Sequence, residues 1–363
     1  MWGVIFGTVI ILAGLGFVYM TFCISRFGGI QKLAKSNKRF SFLISLGIVA
    51  VTFGLLYLIM GAVNAVMVLL HEVLLFLLFR LIFRLIKKIK GKEPRLYLAG
   101  WLALLTSVVY LAVGWYLCHS VVRKDYDLTT AKPIGSLKIA LIADSHIGTT
   151  FDGEGFAEHL KTIEEQSPDL LIIAGDFVDD GSRLADIRTA CEALGKMQLK
   201  YGVWYSYGNH DKGYFNRKDY TPSQLEQSLK ENGIHILADE YELIDDRFYI
   251  VGRKDARDQR LEMEPLLKGI DTSKYIIVID HQPNDYENEA ASAADLVLSG
   301  HTHGGQLIPA TFVGEWLGMN DRTYGYERRS DTDFIVTSGI SDWEIKFKTG
   351  TRSEYVIINV SQS

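Results

Sequence analysis

Five short stretches of this 363-residue chain carry metal-ligand side chains directly after apolar runs. Asp144-Ser145-His146 follows Leu137–Ala143, Gly175-Asp176-Phe177-Val178-Asp179 follows Leu170–Ala174, and Gly208-Asn209-His210-Asp211 follows Val203–Tyr207. His281 follows Tyr275–Asp280, and Gly300-His301-Thr302-His303-Gly304-Gly305 follows Leu296–Ser299. Alone, each is weak. A single Asp-x-His is commonplace, and Gly-Asp after a strand is often just a turn with a helix cap. The conjunction is informative, because five of the nine histidines fall in these stretches, each just after an apolar run. The donors are carboxylates, imidazoles and an amide, with no thiolate. That set suits Mn, Fe, Zn or a similar divalent ion.

Such ligands need a frame that brings distant loops together. The apolar runs read as short buried strands, and helical spacing separates them at Phe156–Gln166 and Leu184–Met197. Thr221-Pro222-Ser223-Gln224 has the N-cap, first-position proline and glutamine of a capping box, so it opens a further helix. Later strands are expected at Phe248–Val251, Tyr275–Ile279, Leu296–Leu298, Phe334–Thr337 and Tyr355–Val360. Strand–helix alternation followed by strand-rich sequence predicts a layered α/β domain over 137–363, with ligands in loops at the carboxyl ends of parallel strands.

The order DSH, GDFVD, GNHD, a lone histidine and GHTH resembles the signature of the calcineurin-like metallophosphoesterases over about 137–310. The GHTHGGQ form and the apolar N-terminus resemble a bacterial membrane-associated branch of phosphohydrolases, which is itself similar to enzymes that cleave the pyrophosphate of UDP-diacylglucosamine. The resemblance implies a β-sandwich flanked by helices in place of a simple parallel sheet. It implies two divalent ions, with manganese favoured. One would take Asp144, His146 and His303, the other Asn209, His281 and His301, and Asp176 would bridge them. His210 would be the acid for the leaving group, held by a carboxylate such as Asp179 or Asp211. Two cations about 3.5–4 Å apart clamp a phosphoester's oxygens and acidify a water so that hydroxide exists near neutral pH. A bridging carboxylate screens their repulsion.

The protein Ser/Thr phosphatases of that superfamily read GDxxDRG and GNHE. Here Asp180-Gly181 and Asp211 stand at the corresponding places, so the phosphate-gripping arginine is absent and phosphoprotein is a poor substrate. Arg253, in Gly252-Arg253-Lys254-Asp255, is weighed as a replacement grip against an ordinary solvated turn.

The first third of the chain has a different composition. Residues 1–123 hold 13 of the 38 basic residues but two of the 43 acidic ones, Glu72 and Glu93. The remainder has 25 basic and 41 acidic residues, a net charge of −16. That balance lacks the basic footprint nucleic acid requires. Three cysteines without CxxC spacing give no disulfide framework or zinc knuckle.

A bilayer crossing needs about 20 apolar residues. Trp2–Cys23 is long enough and uncharged, without the basic n-region of a signal peptide. Ser41–Phe79 would run about 58 Å as one helix, so it reads as two spans turning near Gly61–Asn64. Leu96–His119 is the fourth. The expected spans are 2–23, 41–60, 64–83 and 96–119, within a region 1–119, and 120–136 is read as a linker. Segment 24–40 has five basic residues and no acid, and 80–95 has seven against Glu93. Both should face the cytoplasm, which predicts a multi-pass cell-membrane protein with an extracytoplasmic catalytic domain. His71 and Glu72 read as an interhelical hydrogen bond, or a protonated Glu facing the bundle, in preference to a proton or ion relay, because no second acidic or basic intramembrane residue is available as a relay partner.

The expected function is a membrane-anchored phosphoesterase acting on a phosphomonoester, phosphodiester or pyrophosphate, with a lipid-linked substrate in view. The competing readings are a tethered nucleotidase or phosphodiesterase for soluble substrates and an inactive metal-binding module. Phe312, Val313, Trp316 and Leu317 are read as core in preference to an acyl-binding rim.

Overall fold

The computed structural model describes residues 2–91, 97–214 and 219–363. It divides into two compact units. The first comprises residues 1–114 with Glu344–Lys346, and the second Trp115–Trp343 with Phe347–Ser363.

The first unit is helical: α1 (Trp2–Ile24), α2 (Gly28–Leu33), α3 (Lys38–Lys90) and the greater part of α4 (Leu98–His119). Helices α1, α3 and α4 are long and apolar enough to cross a membrane. Asn37 caps α3 by accepting from the Arg39 and Phe40 amides. The turn expected near Gly61–Asn64 is a single non-helical residue, Gly61, at φ 82° and ψ 171°. Glycine adopts that positive φ without the Cβ clash other residues suffer. The basic stretch expected as a loop from residue 80 is instead helical to Lys90, where Gly91 at φ 70° ends it. The unsatisfied carbonyls of a last turn favour Lys87, Lys88 and Lys90 there. Residues 92–96, on which the expected start of the last span falls, lie outside the described residues. His71 Nδ1 lies 2.8 Å from the Met67 carbonyl one turn earlier in its own helix, and its ring stacks on Tyr110.

The second unit runs β1 (Val122–Thr130), β2 (Ser136–Ile142), α5 (Gly153–Glu164), β3 (Leu170–Ala174), α6 (Leu184–Lys196), β4 (Val203–Ser206) and α7 (Pro222–Glu231). It continues with β5 (His235–Leu237), β6 (Glu240–Ile244), β7 (Phe248–Gly252), α8 (Met263–Leu266), β8 (Tyr275–Ile279), α9 (Tyr286–Ala290) and β9 (Leu296–Ser299). It ends with α10 (Val313–Trp316), β10 (Gly325–Arg329), β11 (Thr332–Val336) and β12 (Glu354–Gln362). Two six-stranded sheets result, ordered β1-β12-β2-β3-β4-β5 and β10-β11-β9-β8-β7-β6. Both are mixed, so the sandwich implied by the resemblance replaces the simple parallel sheet.

Side-chain alternation explains the layers. Leu137, Ile139 and Leu141 of β2 enter the core between the sheets, while Ala140 and Ile142 enter the layer with α5, α6 and α7. In β8, Tyr275, Ile277 and Ile279 face the first core, and Ile276 and Val278 meet Met263, Leu266 and Tyr286 outside. Strands buried on both faces read as continuous apolar runs, which is why these were visible in sequence. The capping box at Thr221 and Gln224 is present.

The expected linker is not a linker. Val122–Thr130 pairs in parallel with β12 from Val122↔Glu354 to Thr130↔Gln362. The backbone ladder makes this strand, and its charged side chains suit a sheet edge. Only Ser120 and Val121 separate α4 from it.

Candidate metal centre

Strands β2, β3 and β4 of one sheet and β8 and β9 of the other end at the five ligand-bearing stretches. The loops are tied to one another by backbone bonds. The Asp144 amide donates to the Gly175 carbonyl and the His146 amide to the Asp176 carbonyl, both at 3.1 Å. The His301 amide lies 3.0 Å from both Asp144 carboxylate oxygens. The His210 amide donates to Asp176 Oδ1 at 2.7 Å.

Two groups form. Asp144, His146 and His303 offer donor atoms within 4.8 Å of one another, and so do Asp176, His281 and His301. Asp176 Oδ2 lies between the groups, 3.7 Å from His146 Nε2 and 3.2 Å from His281 Nε2. Asn209 is buried, and its Oδ1 has no hydrogen-bond partner among the described residues. Its amide nitrogen donates to the Tyr214 hydroxyl at 2.9 Å, which fixes which end of the amide is free.

This arrangement is strained. Asp144, His146, Asp176, His301 and His303 all have φ between 37° and 70°. Such a conformation costs a non-glycine residue about 1–3 kcal/mol and persists only where the surroundings impose it. Close approach excludes side chains next to the ligands. A Cβ on Gly208 would lie 2.2 Å from Asp176 Oδ1, and one on Gly300 2.6 Å from Asp144 Oδ2.

The calcineurin-like phosphoesterase pattern matches residues 137–305. An uncharacterized metallophosphoesterase of Aquifex aeolicus is 32% identical over 203 residues, covering 53% of this chain and 72% of the relative. The chain belongs to the calcineurin-like phosphoesterases. A Campylobacter jejuni uncharacterized metallophosphoesterase is 31% identical, with 65% of this chain and 62% of that protein covered. A Danio rerio transmembrane protein with metallophosphoesterase domain is 29% identical, with 63% of this chain and 54% of that protein covered. The chain thus spans roughly half to two thirds of the first relatives it matches.

Calcineurin-like phosphoesterases use dinuclear metal centres, and the donors here fit one. His146 Nε2, His281 Nε2 and Asn209 Oδ1 are buried without a hydrogen-bond partner among the described residues. Orphaned buried polar atoms are costly unless something else satisfies them. Nearby groups also fix the imidazoles. His281 Nδ1 lies 2.8 Å from the Ala174 carbonyl, leaving Nε2 toward Asp176. His303 Nδ1 lies 3.3 Å from Asp342 Oδ1, which also pairs with the buried Lys348 at 3.3 Å. Partners of this kind orient metal-binding imidazoles.

The two carboxylates expected to hold His210 do other work. Asp179 Oδ2 lies 3.5 Å from His146 Nδ1. Asp211 accepts from the Asp176, Val178 and Gly208 amides at 2.9, 3.1 and 2.7 Å, joining two loops through their backbones. His210 is instead enclosed by rings, its centroid 5.1 Å from His146 and Trp343 and 4.6 Å from Tyr214.

Arg253 is not a solvated turn residue and does not reach outward. It is 1% exposed and pairs with Asp280 and Asp285 at 2.8 Å and Glu289 at 3.2 Å. A buried guanidinium needs such carboxylates, and removing them would leave an unpaired charge. Among the described residues, an exposed arginine close to the ligands is Arg257. It lies 4.0 Å above the Tyr214 ring and donates to the Asn209 carbonyl. Sequence reading missed Arg257, Tyr214, Trp343 and Asp342. Asp342 gave no comparable signal, since four residues separate it from the Phe334–Thr337 run.

The carboxylates set the charge of the imidazoles. Burial alone would lower His146, but the Asp179 contact and the charges of Asp176, Asp179 and Asp144 prevail and raise it to about 9. Burial is likewise outweighed at His281, where Asp176 raises the ring to about 10. Both carry protons near neutral pH without metal. A nitrogen must give up its proton to ligate. Loading divalent ions at about pH 7.5 should therefore release about two protons per chain, measurable by calorimetry in buffers of different ionisation enthalpy. In the metal-free chain the charged rings stabilise the fold below about pH 6.5, the ordinary histidine value. That contribution is lost as pH rises through about 9 and about 10.

Proposed function

We propose that the chain is a bilayer-anchored dinuclear phosphoesterase that hydrolyses a phosphomonoester, phosphodiester or pyrophosphate bond of a lipid-linked substrate. Asp144, His146 and His303 would hold one divalent ion and Asn209, His281 and His301 the other, with Asp176 shared between them and manganese the favoured metal. The observation that carries this reading is Asp176 Oδ2, within 3.7 Å of an imidazole from each side. When bound, the ions neutralise the phosphate oxygens and make water acidic enough to attack near neutral pH.

The protein groups supply orientation and a proton. Ala174 and Asp342 fix two imidazoles, and Tyr214 fixes the Asn209 amide. Burial holds His210 down at about 3, so it is neutral in the ligand-free site. A phosphate anion beside it favours the charged ring, so His210 gains a proton as substrate arrives and gives it to the leaving oxygen.

Four spans, 2–23, 41–60, 64–83 and 96–119, are the reading that the Gly61 break supports. Helices flank that residue, each with about 20 apolar residues to cross a bilayer. The basic stretches then lie on the cytoplasmic side and the catalytic unit outside. Anchoring raises the effective concentration of a bilayer-borne substrate.

Purified full-length protein in nanodiscs, assayed on a diacyl lipid pyrophosphate, bis-p-nitrophenyl phosphate and nucleotides, tests this. Turnover of the lipid well above the soluble esters is expected. Turnover of soluble esters alone would replace the lipid reading with a tethered nucleotidase or phosphodiesterase, and metal binding without any turnover would make the unit an inactive module.

A further inference from the structure

The segment after the GHTHGG stretch was expected to be core, and it is not. Ile308 is 52% exposed, Phe312 49%, Trp316 75%, Leu317 69% and Met319 58%. Scattered exposed apolar residues are ordinary, but so many within twelve residues form a patch that needs a partner. The acid within it, Glu315, turns its carboxylate to the Thr323 amide at 3.0 Å. Trp and Phe among aliphatic residues is the composition that favours a membrane–water interface.

The same unit joins this patch to the end of an apolar helix. Residues 349–353 brace both. On one side the Thr349 and Gly350 amides donate to the Gln306 carbonyl at 2.8 and 3.0 Å. The Ile308 amide donates to the Thr349 hydroxyl at 3.0 Å. On the other, the Ser353 amide donates to the Leu117 carbonyl at 3.0 Å and its hydroxyl to the Cys118 carbonyl at 2.7 Å. Arg352 donates to the Ser120 carbonyl and hydroxyl at 3.1 and 2.7 Å. The last turns of α4 carry exposed Trp115 and Tyr116, an aromatic pair suited to the headgroup level.

We infer that residues 308–319 are a second membrane contact, a wedge that enters the interfacial region of the same bilayer that α4 leaves and holds the neighbouring GHTH loop at the headgroups. This rests on the bilayer-anchored reading above. The patch and the helix end share one brace, so a bilayer at Trp115 and Tyr116 is the apolar phase nearest to it. His303 is five residues before Ile308, which puts the wedge next to the proposed metal ligands along the chain. A lipid-borne phosphoester would then reach the site without leaving the bilayer surface.

The test uses full-length Trp316→Cys labelled with an environment-sensitive nitrobenzoxadiazole dye in liposomes. Glu231→Cys, exposed at the end of α7, is the reference. The three native cysteines are buried and stay unlabelled. Dye at position 316 should emit to the blue of dye at 231 and be quenched several-fold more by lipids with a nitroxide near the headgroup end of the acyl chain. Failure of the protein to float with the liposomes would overturn the anchored reading and the wedge with it. Flotation with equal quenching at both positions would overturn the wedge alone. A blue shift without lipid quenching would mean that protein, such as a second copy, covers the patch, and would also overturn it. As a functional arm, the triple change Phe312→Ser, Trp316→Ser and Leu317→Ser should lower turnover of a bilayer-borne ester several-fold and leave a soluble ester unaffected. Equal loss on both would contradict the wedge.

Discussion

Asp176→Asn should lower phosphoester turnover about a thousandfold, the upper range for loss of one preorganised electrostatic group. The substitution is isosteric, so the carbonyl oxygen of asparagine can still accept from the His210 amide as Asp176 Oδ1 does at 2.7 Å. What is lost is charge. Asp176 is held ionised, well below the usual carboxylate range, against the cost of burial, by His281 first and then His146. Its Oδ2 faces an imidazole on either side. A neutral amide there leaves two cations unscreened, and its NH2 would point donors at nitrogens that need to ligate. Steady-state rates with a saturating metal series, beside circular dichroism to verify folding, check this. Folded Asp176→Asn with turnover within about tenfold of the native chain would exclude Asp176 from the proposed bridging role.

His210→Ala should have the next largest effect, and its size should depend on the leaving group. General acid catalysis contributes about 10²–10⁴-fold. The full loss is expected with an alkoxide leaving group, which cannot depart without a proton. With p-nitrophenolate, stable as the anion, the loss should be small. His210 Nδ1 is buried without a partner among the described residues, and the ring is walled by Tyr214 and Trp343. That position permits proton delivery without competition from a fixed carboxylate. Comparing kcat on alkyl and nitrophenyl esters of the same phosphate decides it. An equal loss on both would mean that His210 positions substrate or supports the loop and does not donate the proton.

The ligand stretches were legible because burial on both strand faces leaves unbroken apolar runs, and a polar donor directly after one stands out. Asp144, Asp176, His281 and His301 all follow this rule. Partners chosen by tertiary contact were not legible. Tyr214 matters because its hydroxyl meets the Asn209 amide, and Asp342 because it meets His303 from 39 residues away. Arg253 read as a surface turn because Asp280, Asp285 and Glu289, which neutralise it, lie about 30 residues further along the chain. Strand β1 reads as a linker in sequence because Val122–Thr130 is polar and its strand character comes from the ladder with β12. The 308–319 segment differs in the opposite sense, apolar in sequence yet exposed. Apolar residues usually pack inward, and nothing local marks those that serve a surface.

Electron paramagnetic resonance of the full-length chain reconstituted with manganese, recorded beside its metal content, tests the central claim most directly. Two ions per chain with an exchange-coupled spectrum are expected, because a carboxylate between them transmits the coupling. One ion per chain, or two with the spectrum of isolated manganese, would contradict a shared centre built around Asp176.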